Sequence, residues 1–290
     1  MVKSTTTPSQ KREKSTKTTR EKPAHLADGL KRILKAKHHD PFSYLGCHEV
    51  DGSYAYRTFL PQATEVSIQV DSKWITLEKT HADGLFETVS KKPFKTPCLL
   101  KVTTGESAFE IYDPYTFNSS LTQDELYLLG EGRLLQAYKT LGAQFRTQEG
   151  IAGVRFAVWA PNAERVSVTG NFNNWDGRIH SMRAHGSSGV WDIFIPHLTT
   201  FDTYKFEIRN RHTGAVLVKT DPYGFEFEQR PGTAAKISLS QHQWNDDAWL
   251  DARKNRDWLH APFNCYEVHL GSWQRNESGH FLSYRDLATT

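Results

Sequence analysis

Two stretches of the chain, RTFLPQATEVSIQV at residues 57–70 and FAVWAPNAERVSVT at residues 156–169, share one pattern. Each places a proline and then an alanine between two runs in which apolar and polar residues alternate. Alternation with a period of two is typical of β-strands that bury one face. The two stretches lie about one hundred residues apart. That spacing indicates a duplicated domain rather than a short solenoid repeat.

Two further pairs of matching stretches follow in the same order. The sequence DGLFE, which ends at Glu87, corresponds to SGVWD, which ends at Asp192. The sequence YDPYTF at 112–117 corresponds to TDPYGF at 220–225. Each copy consists of short apolar runs separated by Gly, Pro, Asn and Asp, the pattern of an antiparallel β-sandwich.

The second copy shows most clearly which residues belong to a core. Val166 and Val168 point to one side of their predicted strand, and Ser167 points to the other. In YKFEIRN at 204–210, the Tyr, Phe and Ile share one face and Lys205 lies on the other. We therefore predict a mainly β fold with two tandem immunoglobulin-like antiparallel β-sandwiches.

The chain is expected to contain six segments. They are a disordered basic tail at 1–23, a first β-sandwich at 24–118, a helical connector at 119–142, a second β-sandwich at 143–243, a linker helix at 244–262 and the beginning of a (β/α)8 barrel at 263–290. The linker helix is predicted to be capped by Asp246. The barrel assignment depends on YEVHL at 266–270, which alternates like a strand, and on a following helix that Ser283 and Asp286 cap. One such unit is expected to leave the barrel incomplete, since a full barrel takes about 250 residues.

Composition and charge exclude several classes of protein. The 290 residues are 38% hydrophobic with a mean hydropathy of −0.61, which predicts a soluble protein without a membrane segment. The net charge of +3 comes from residues 1–22, which carry +5 and leave −2 for the remainder, so no nucleic acid is expected as a ligand. Cys47, Cys98 and Cys265 lack paired or metal-site spacing. We expect thiols in a cytoplasmic protein, with no metal and no cofactor.

The stretch VTGNFNNWDG at 168–177 is the main candidate for a functional site. A flat ring beside amide groups suits a ligand with an apolar C–H face and a rim of hydroxyls, which describes a sugar. Lys205, on an outward strand position, could add a donor to the same surface. The alternative is that Trp175 caps the open end of the sandwich while the asparagines make turn hydrogen bonds. The residues alone leave both interpretations open.

The stretches VSVTGNFNNWDG at 166–177, GVWDIFIP at 189–196 and YKFEI at 204–208 resemble the family-48 carbohydrate-binding module. The resemblance implies that Trp175 and Lys205 contact α-glucan, with the amides of Asn173 and Asn174 in the same binding site. The first copy keeps a tryptophan, Trp74, but has none of the asparagines. We therefore expect the first copy to be a spacer or packing domain.

Residues 24–290 as a whole resemble the 1,4-α-glucan branching enzyme family, on the strength of YEVHLGSW at 266–273 and FLSYRDL at 281–287 after two sandwiches. The resemblance implies cleavage of α-1,4-glucan chains and their transfer to a C6 hydroxyl, with glycogen or another α-1,4-glucan as the ligand. It also implies a monomer. Alternatives are a non-catalytic glycogen-targeting module and a debranching or trehalose-releasing relative, against which the doubled sandwich argues.

No catalytic residue is nominated, because the carboxylates of the family lie on later barrel strands and no stretch up to Thr290 matches their motifs. Glu267 and His269 are interpreted as structural or lining residues, since a lone acid cannot supply both groups of a double displacement. The chain by itself is therefore expected to bind or position glucan without catalysis.

Overall fold

The computed structural model describes residues 28–289, and the tail predicted at 1–23 lies outside them. The chain divides into two compact units, one that ends at Leu239 and one that begins at Ser240. Both sandwiches belong to the first unit. None of the helices within residues 28–289 is long and apolar enough to span a bilayer.

The first module consists of a short helix and two four-stranded antiparallel sheets. Helix α1 (Asp28–Leu34) buries Leu30 and Ile33, which lie three residues apart on one face of the helix. The strands are β1 (Gly46–Val50), β2 (Ser53–Phe59), β3 (Glu65–Val70), β4 (Lys73–Thr76), β5 (Glu78–His81), β6 (Leu85–Ser90), β7 (Leu99–Thr104) and β8 (Ser107–Tyr112). One sheet has the order β1-β2-β6-β5 and the other β4-β3-β7-β8. The core between them includes Tyr56, Val66, Ile68, Phe86 and Leu100.

A capped helix begins the segment between the modules. In front of α2 (Gln123–Gly130), the hydroxyl of Thr122 accepts from the N–H of Glu125 at 3.1 Å. The Glu125 carboxylate accepts in return from the N–H of Thr122 at 2.9 Å. This capping box satisfies two donors that the helix leaves unpaired. Glu125 also accepts from the hydroxyl of Thr140 at 2.8 Å, which ties the helix to the start of the second module.

The second module also has two antiparallel sheets. Its strands are β9 (Gly142–Gln148), β10 (Ile151–Trp159), β11 (Ala163–Gly170), β12 (Arg183–Ala184), β13 (Val190–Pro196), β14 (Thr203–Asn210), β15 (Val216–Lys219), β16 (Glu226–Phe227) and β17 (Ala235–Lys236). One sheet has the order β12-β13-β10-β9 and the other β11-β14-β17-β16, with β15 on β14. Val166, Val168, Tyr204 and Phe206 are buried, as the alternation predicts. The predicted β-sandwich fold is therefore confirmed.

The repeated DPY sequence anchors the end of the first sandwich. One oxygen of the buried Asp113 accepts from the N–H of Tyr115 at 3.0 Å. Its other oxygen accepts from the hydroxyl of Tyr56, on β2, at 2.5 Å. Burial raises the pKa of Asp113 to about 6, although both hydrogen bonds act in the opposite direction. The carboxylate is thus held in the core by two donors.

The second copy binds its equivalent aspartate in the same way but from another strand. Asp221 accepts from the N–H of Tyr223 at 2.7 Å and from the hydroxyl of Tyr204 at 2.6 Å. Tyr204 lies on β14, whereas the hundred-residue offset makes Phe156 the counterpart of Tyr56. The duplication therefore kept the buried aspartate while the tyrosine that donates to it came to lie on a different strand.

The second unit contains three helices, α3 (Asp247–Lys254), α4 (Leu270–Trp273) and α5 (Tyr284–Ala288). The capping box at Ser283 and Asp286 is confirmed, with the Ser283 hydroxyl accepting from the Asp286 N–H at 3.3 Å. The side-chain cap predicted at Asp246 does not form.

The strand predicted at 266–270 is wrong. Residues 262–269 have no regular secondary structure, and α4 begins at Leu270. A strand exists only when a neighbouring strand takes up its backbone hydrogen bonds. Alternation over five residues does not supply that neighbour, and no neighbouring strand lies beside this segment among the residues described. The start of a barrel is therefore not confirmed.

The cysteines of the described chain are free thiols. The sulfur atoms of Cys47 and Cys98 lie 3.4 Å apart in the first module, and Cys265 is exposed. The contact with Cys47, together with burial, raises the pKa of Cys98. Cys98 therefore remains a neutral thiol that packs in the core.

Replacing Asp113 with asparagine tests the energetic effect of its burial. The folded pKa of about 6 lies above the value of about 3.9 expected in the unfolded chain. The folded chain therefore holds this proton more tightly, and ionisation of Asp113 lowers the free energy of unfolding as pH rises from about 4 to about 6, by up to about 1.4 kcal/mol per pH unit. Urea unfolding across this range should show that Asp113→Asn loses less stability than the parent.

Tyr56→Phe provides a matched control for this prediction. It removes the hydrogen bond that lowers the pKa of Asp113, so the loss of stability should extend to higher pH than in the parent. Parallel pH profiles for all three proteins would contradict the prediction.

Candidate functional site

The loop that follows β11 begins at a glycine for a steric reason. Gly170 pairs with Tyr204 across the sheet. A Cβ at position 170 would lie 2.3 Å from the carbonyl oxygen of Thr203 and 2.5 Å from the ring of Phe172. Only glycine permits this close approach, so the loop leaves the sheet directly beside the start of β14.

A buried guanidinium holds the other end of the loop. Arg165 is 2% exposed and donates to the carbonyl oxygen of Gly177 at 2.7 Å. It also forms an ion pair with Glu207 on β14. Both ends of the loop at 170–177 are therefore fixed to the same sheet.

The two aromatic rings of the loop face opposite ways. Phe172 packs against the core, with its ring 6.2 Å from Phe156 and 5.7 Å from His180. Trp175 is 43% exposed and has a left-handed backbone with φ of 59°. The backbone N–H of Trp175 donates to the carbonyl oxygen of Gly170 at 2.9 Å. A left-handed conformation in a residue other than glycine costs about 1–3 kcal/mol, so the surrounding contacts must hold this tryptophan outward.

Asn173 is the contact that holds the loop, and it does not form part of the exposed surface. The residue is 4% exposed. Its amide oxygen accepts from the N–H of Gly170 at 2.9 Å, and its amide nitrogen donates to the carbonyl oxygen of Val168 at 2.9 Å and to Nδ1 of His180 at 2.9 Å. Asn173 could contact a ligand only by breaking these bonds. The direct glucan contact predicted for it is therefore replaced by a role in positioning the loop.

Asn174 is exposed and links the loop to the first module. Its backbone is left-handed, with φ of 52°. Its amide nitrogen donates to the side-chain oxygen of Gln62 at 3.0 Å. Gln62 lies between β2 and β3 of the first sandwich, so both modules contribute to the surface around Trp175.

Lys205 lies at the same end of the sheet. It is opposite Thr169 in the pairing of β11 with β14, one position from Gly170. Its ammonium group donates to the hydroxyl of Thr233 at 2.5 Å. Trp175 and Asn174 thus lie in the loop that follows β11, with Asn173 buried beside them, and Lys205 lies on the neighbouring strand β14.

Sequence reasoning missed three residues that shape the site, namely Asn171, Gln62 and His180. Asn171 is the first of three clustered asparagines in the sequence, but its role depends on a hydrogen bond to Asp202, 31 residues away.

Burial lowers the pKa of His180 to about 4. The imidazole is therefore neutral at neutral pH, and its Nδ1 can accept from Asn173.

Ser119, His185 and Asp192 form a hydrogen-bonded cluster without the geometry of a catalytic triad. Nε2 of His185 lies 2.7 Å from Asp192 and 3.4 Å from the hydroxyl of Ser119. In a catalytic triad, the two imidazole nitrogens face the serine and the carboxylate separately. Here the same nitrogen faces both, and the Ser119 hydroxyl donates directly to Asp192 at 2.8 Å. The cluster therefore joins the connector to the second sandwich and has no catalytic arrangement.

Within residues 28–289, no group of three or more His, Cys, Asp or Glu side chains is arranged to hold a metal ion. Glu267 and His269 are exposed in the second unit, and Nδ1 of His269 lies 2.8 Å from the hydroxyl of Ser272.

The second module is a β-sandwich with an exposed tryptophan on a loop, an arrangement suited to packing against the apolar face of a sugar. In agreement, residues 140–224 match the family model described as Carbohydrate-binding module 48 (Isoamylase N-terminal domain). Residues 26–115 match the model for the N-terminal domain of alpha-1,4-glucan branching enzyme GlgB.

Curated relatives point to the same family. The chain is 60% identical over 260 residues to 1,4-alpha-glucan branching enzyme GlgB of Methylobacillus flagellatus, covering 89% of this chain and 36% of that protein. It is 49% identical over 265 residues to the GlgB enzyme of Nitrosospira multiformis, with coverage of 89% and 36%. The chain thus spans about a third of the length of the curated relatives it matches. By sequence, it corresponds to the N-terminal portion of GlgB branching enzymes.

Substitutions at the two adjacent asparagines should separate loop support from surface chemistry. Asn173→Ala leaves the Gly170 N–H and the Val168 carbonyl without their buried hydrogen bonds, so the free energy of unfolding should fall by about 1–3 kcal/mol. Asn174→Gly, at an exposed position whose φ of 52° glycine adopts without strain, should change it by no more than about 0.5 kcal/mol. Chemical denaturation of both variants measures the difference, and equal losses would show that Asn173 does not hold the loop.

Proposed function

We propose that the second sandwich, over residues 143–243, binds α-1,4-glucan with Trp175 as its central contact. The observation that carries this proposal is an indole left 43% exposed on a loop whose backbone is fixed at both ends. The match of residues 140–224 to a carbohydrate-binding module supports it. In this proposal, Asn174 in the same loop and Lys205 on β14 supply hydrogen-bonding groups for hydroxyls.

The physical basis is the two-sided character of a glucose ring. Its C–H face is apolar and packs on the flat indole, while its hydroxyls need replacements for the water they lose. A ring already held in its bound position loses little conformational entropy when the ligand arrives. The strained but well-supported backbone of Trp175 therefore favours binding rather than opposing it.

We further propose that the chain positions glucan for a branching reaction in which an α-1,4 linkage is cut and the severed chain is joined to a C6 hydroxyl. This reaction needs a nucleophilic carboxylate and an acid/base carboxyl about 5–5.5 Å apart. In this proposal, the described residues bind glucan and do not supply the two carboxyl groups that carry out the reaction. We also propose that the protein is cytoplasmic and monomeric. The free thiols of Cys47 and Cys98 support the cytoplasmic location, because the cytoplasm is a reducing compartment.

Trp175→Ala tests the glucan site directly. Loss of the indole should weaken binding to glycogen at least about tenfold, because truncating a central tryptophan of a binding site costs more than about 1.4 kcal/mol. Affinity electrophoresis in gels that contain glycogen measures the change. The matched control is Trp74→Ala, which removes an indole 37% exposed on β4 of the first module and should leave the affinity unchanged.

Salt provides a second check on the same site. Because glucan carries no charge, its binding should not weaken as the sodium chloride concentration is raised, unlike binding to a charged polymer.

The Trp175→Ala variant can also contradict the proposal. If it keeps the parent affinity for glycogen and its unfolding curve is unchanged, Trp175 is not the glucan contact.

A further inference from the structure

A second aromatic ring is exposed next to the Trp175 loop. Phe201 lies in the turn between β13 and β14 and is 68% exposed. Its backbone is left-handed, with φ of 75°. This conformation costs free energy in a residue other than glycine. It therefore persists only where surrounding contacts stabilise it.

The turn that carries Phe201 is held by hydrogen bonds on both sides. The N–H of Phe201 donates to the carbonyl oxygen of Ile237 at 2.8 Å. One oxygen of Asp202 accepts from the N–H of Thr199 at 3.0 Å, which closes the turn. The other oxygen accepts from the side-chain amide of Asn171 at 3.1 Å. The exposed phenyl group is therefore attached to a rigid support.

Strand register brings this turn to the Trp175 loop. β11 ends at Gly170 opposite Tyr204, near the first residue of β14, so the segment after β11 and the segment before β14 leave the same end of the sheet. Asn171 joins them, because its amide oxygen also accepts from the N–H of Thr203 at 3.1 Å. Two exposed rings thus lie on adjacent turns that one asparagine side chain connects.

We propose that Phe201 is a second glucan-contacting residue, which adds contacts only when the α-1,4-glucan is long enough to extend beyond the sugar on Trp175. This inference rests on the proposed function, since it concerns the same surface. The phenyl ring offers an apolar face to glucose C–H groups as the indole does, but it has no polar atom to orient the sugar. Trp175 therefore anchors the chain, and Phe201 makes the affinity depend on chain length.

The test compares maltotriose with maltoheptaose on the whole chain. Two-dimensional ¹H–¹⁵N spectra follow the indole N–H of Trp175, which reports on binding whether or not Phe201 contributes. The parent should bind maltoheptaose more tightly than maltotriose. Phe201→Ala should weaken maltoheptaose binding about fivefold and leave maltotriose binding unchanged, as expected for the loss of one aromatic contact.

Three further variants make the result specific. Phe201→Tyr keeps the ring and should restore the parent affinity. Asp202→Ala frees the turn while leaving the phenyl group in place, and it should reduce the preference for the longer chain. Trp74→Ala removes an aromatic side chain on β4 of the first module, in a residue that is 37% exposed, and should have no effect.

The outcomes distinguish a failure of the role proposed for Phe201 from a failure of the proposed glucan site. If neither oligosaccharide shifts the Trp175 indole signal in the parent, the proposed glucan site itself fails. If the signal shifts but Phe201→Ala keeps the parent ratio of affinities, the role of Phe201 is overturned and the glucan site stands. Equal weakening for both chain lengths would also overturn it, because it would mean that Phe201 supports the fold of the site.

Discussion

The amide side chain of Asn173 is the interaction on which the candidate site depends. Where β11 ends, backbone groups lose their neighbours in the sheet, and buried polar groups of this kind need replacements. Asn173 supplies them from one side chain, by binding Gly170, Val168 and His180. The chain can then turn sharply enough that Phe172 enters the core while the indole three residues later stays outside. The low pKa of His180 belongs to the same arrangement, because only a neutral imidazole accepts from the amide.

The first module does more than separate the second from the preceding residues. The hydroxyl of Tyr115 donates to the carbonyl oxygen of Ile179 at 2.9 Å and accepts from the N–H of Ser181 at 3.0 Å. These two residues lie in the segment that returns from the Trp175 loop. Together with the bond from Asn174 to Gln62, they brace the loop from outside its own sandwich. Of the two roles expected for the first copy, spacer or packing domain, these contacts favour the packing domain.

The duplicated modules show which features tolerate divergence. Both copies retain a buried aspartate that receives one backbone N–H and one tyrosine hydroxyl, yet the tyrosines lie on strands that are not equivalent. A buried carboxylate needs a hydrogen-bond donor. Any strand whose side chains reach the carboxylate can supply that donor. The loops diverged further, because Trp74 lies on β4 without the asparagines that fix the loop of the second copy.

The sequence by itself determined the duplicated β-sandwiches, the core faces and the cap of α5, because alternation and capping act between residues close along the chain. It also marked Trp175. Only the tertiary structure separated Asn173 from Asn174, which are identical in chemistry and adjacent in sequence but differ in which way their side chains point. It alone paired Asn174 with Gln62, 112 residues away, and it left 266–270 without a strand. Contacts of this kind depend on what the fold brings near a residue, and no local pattern records that.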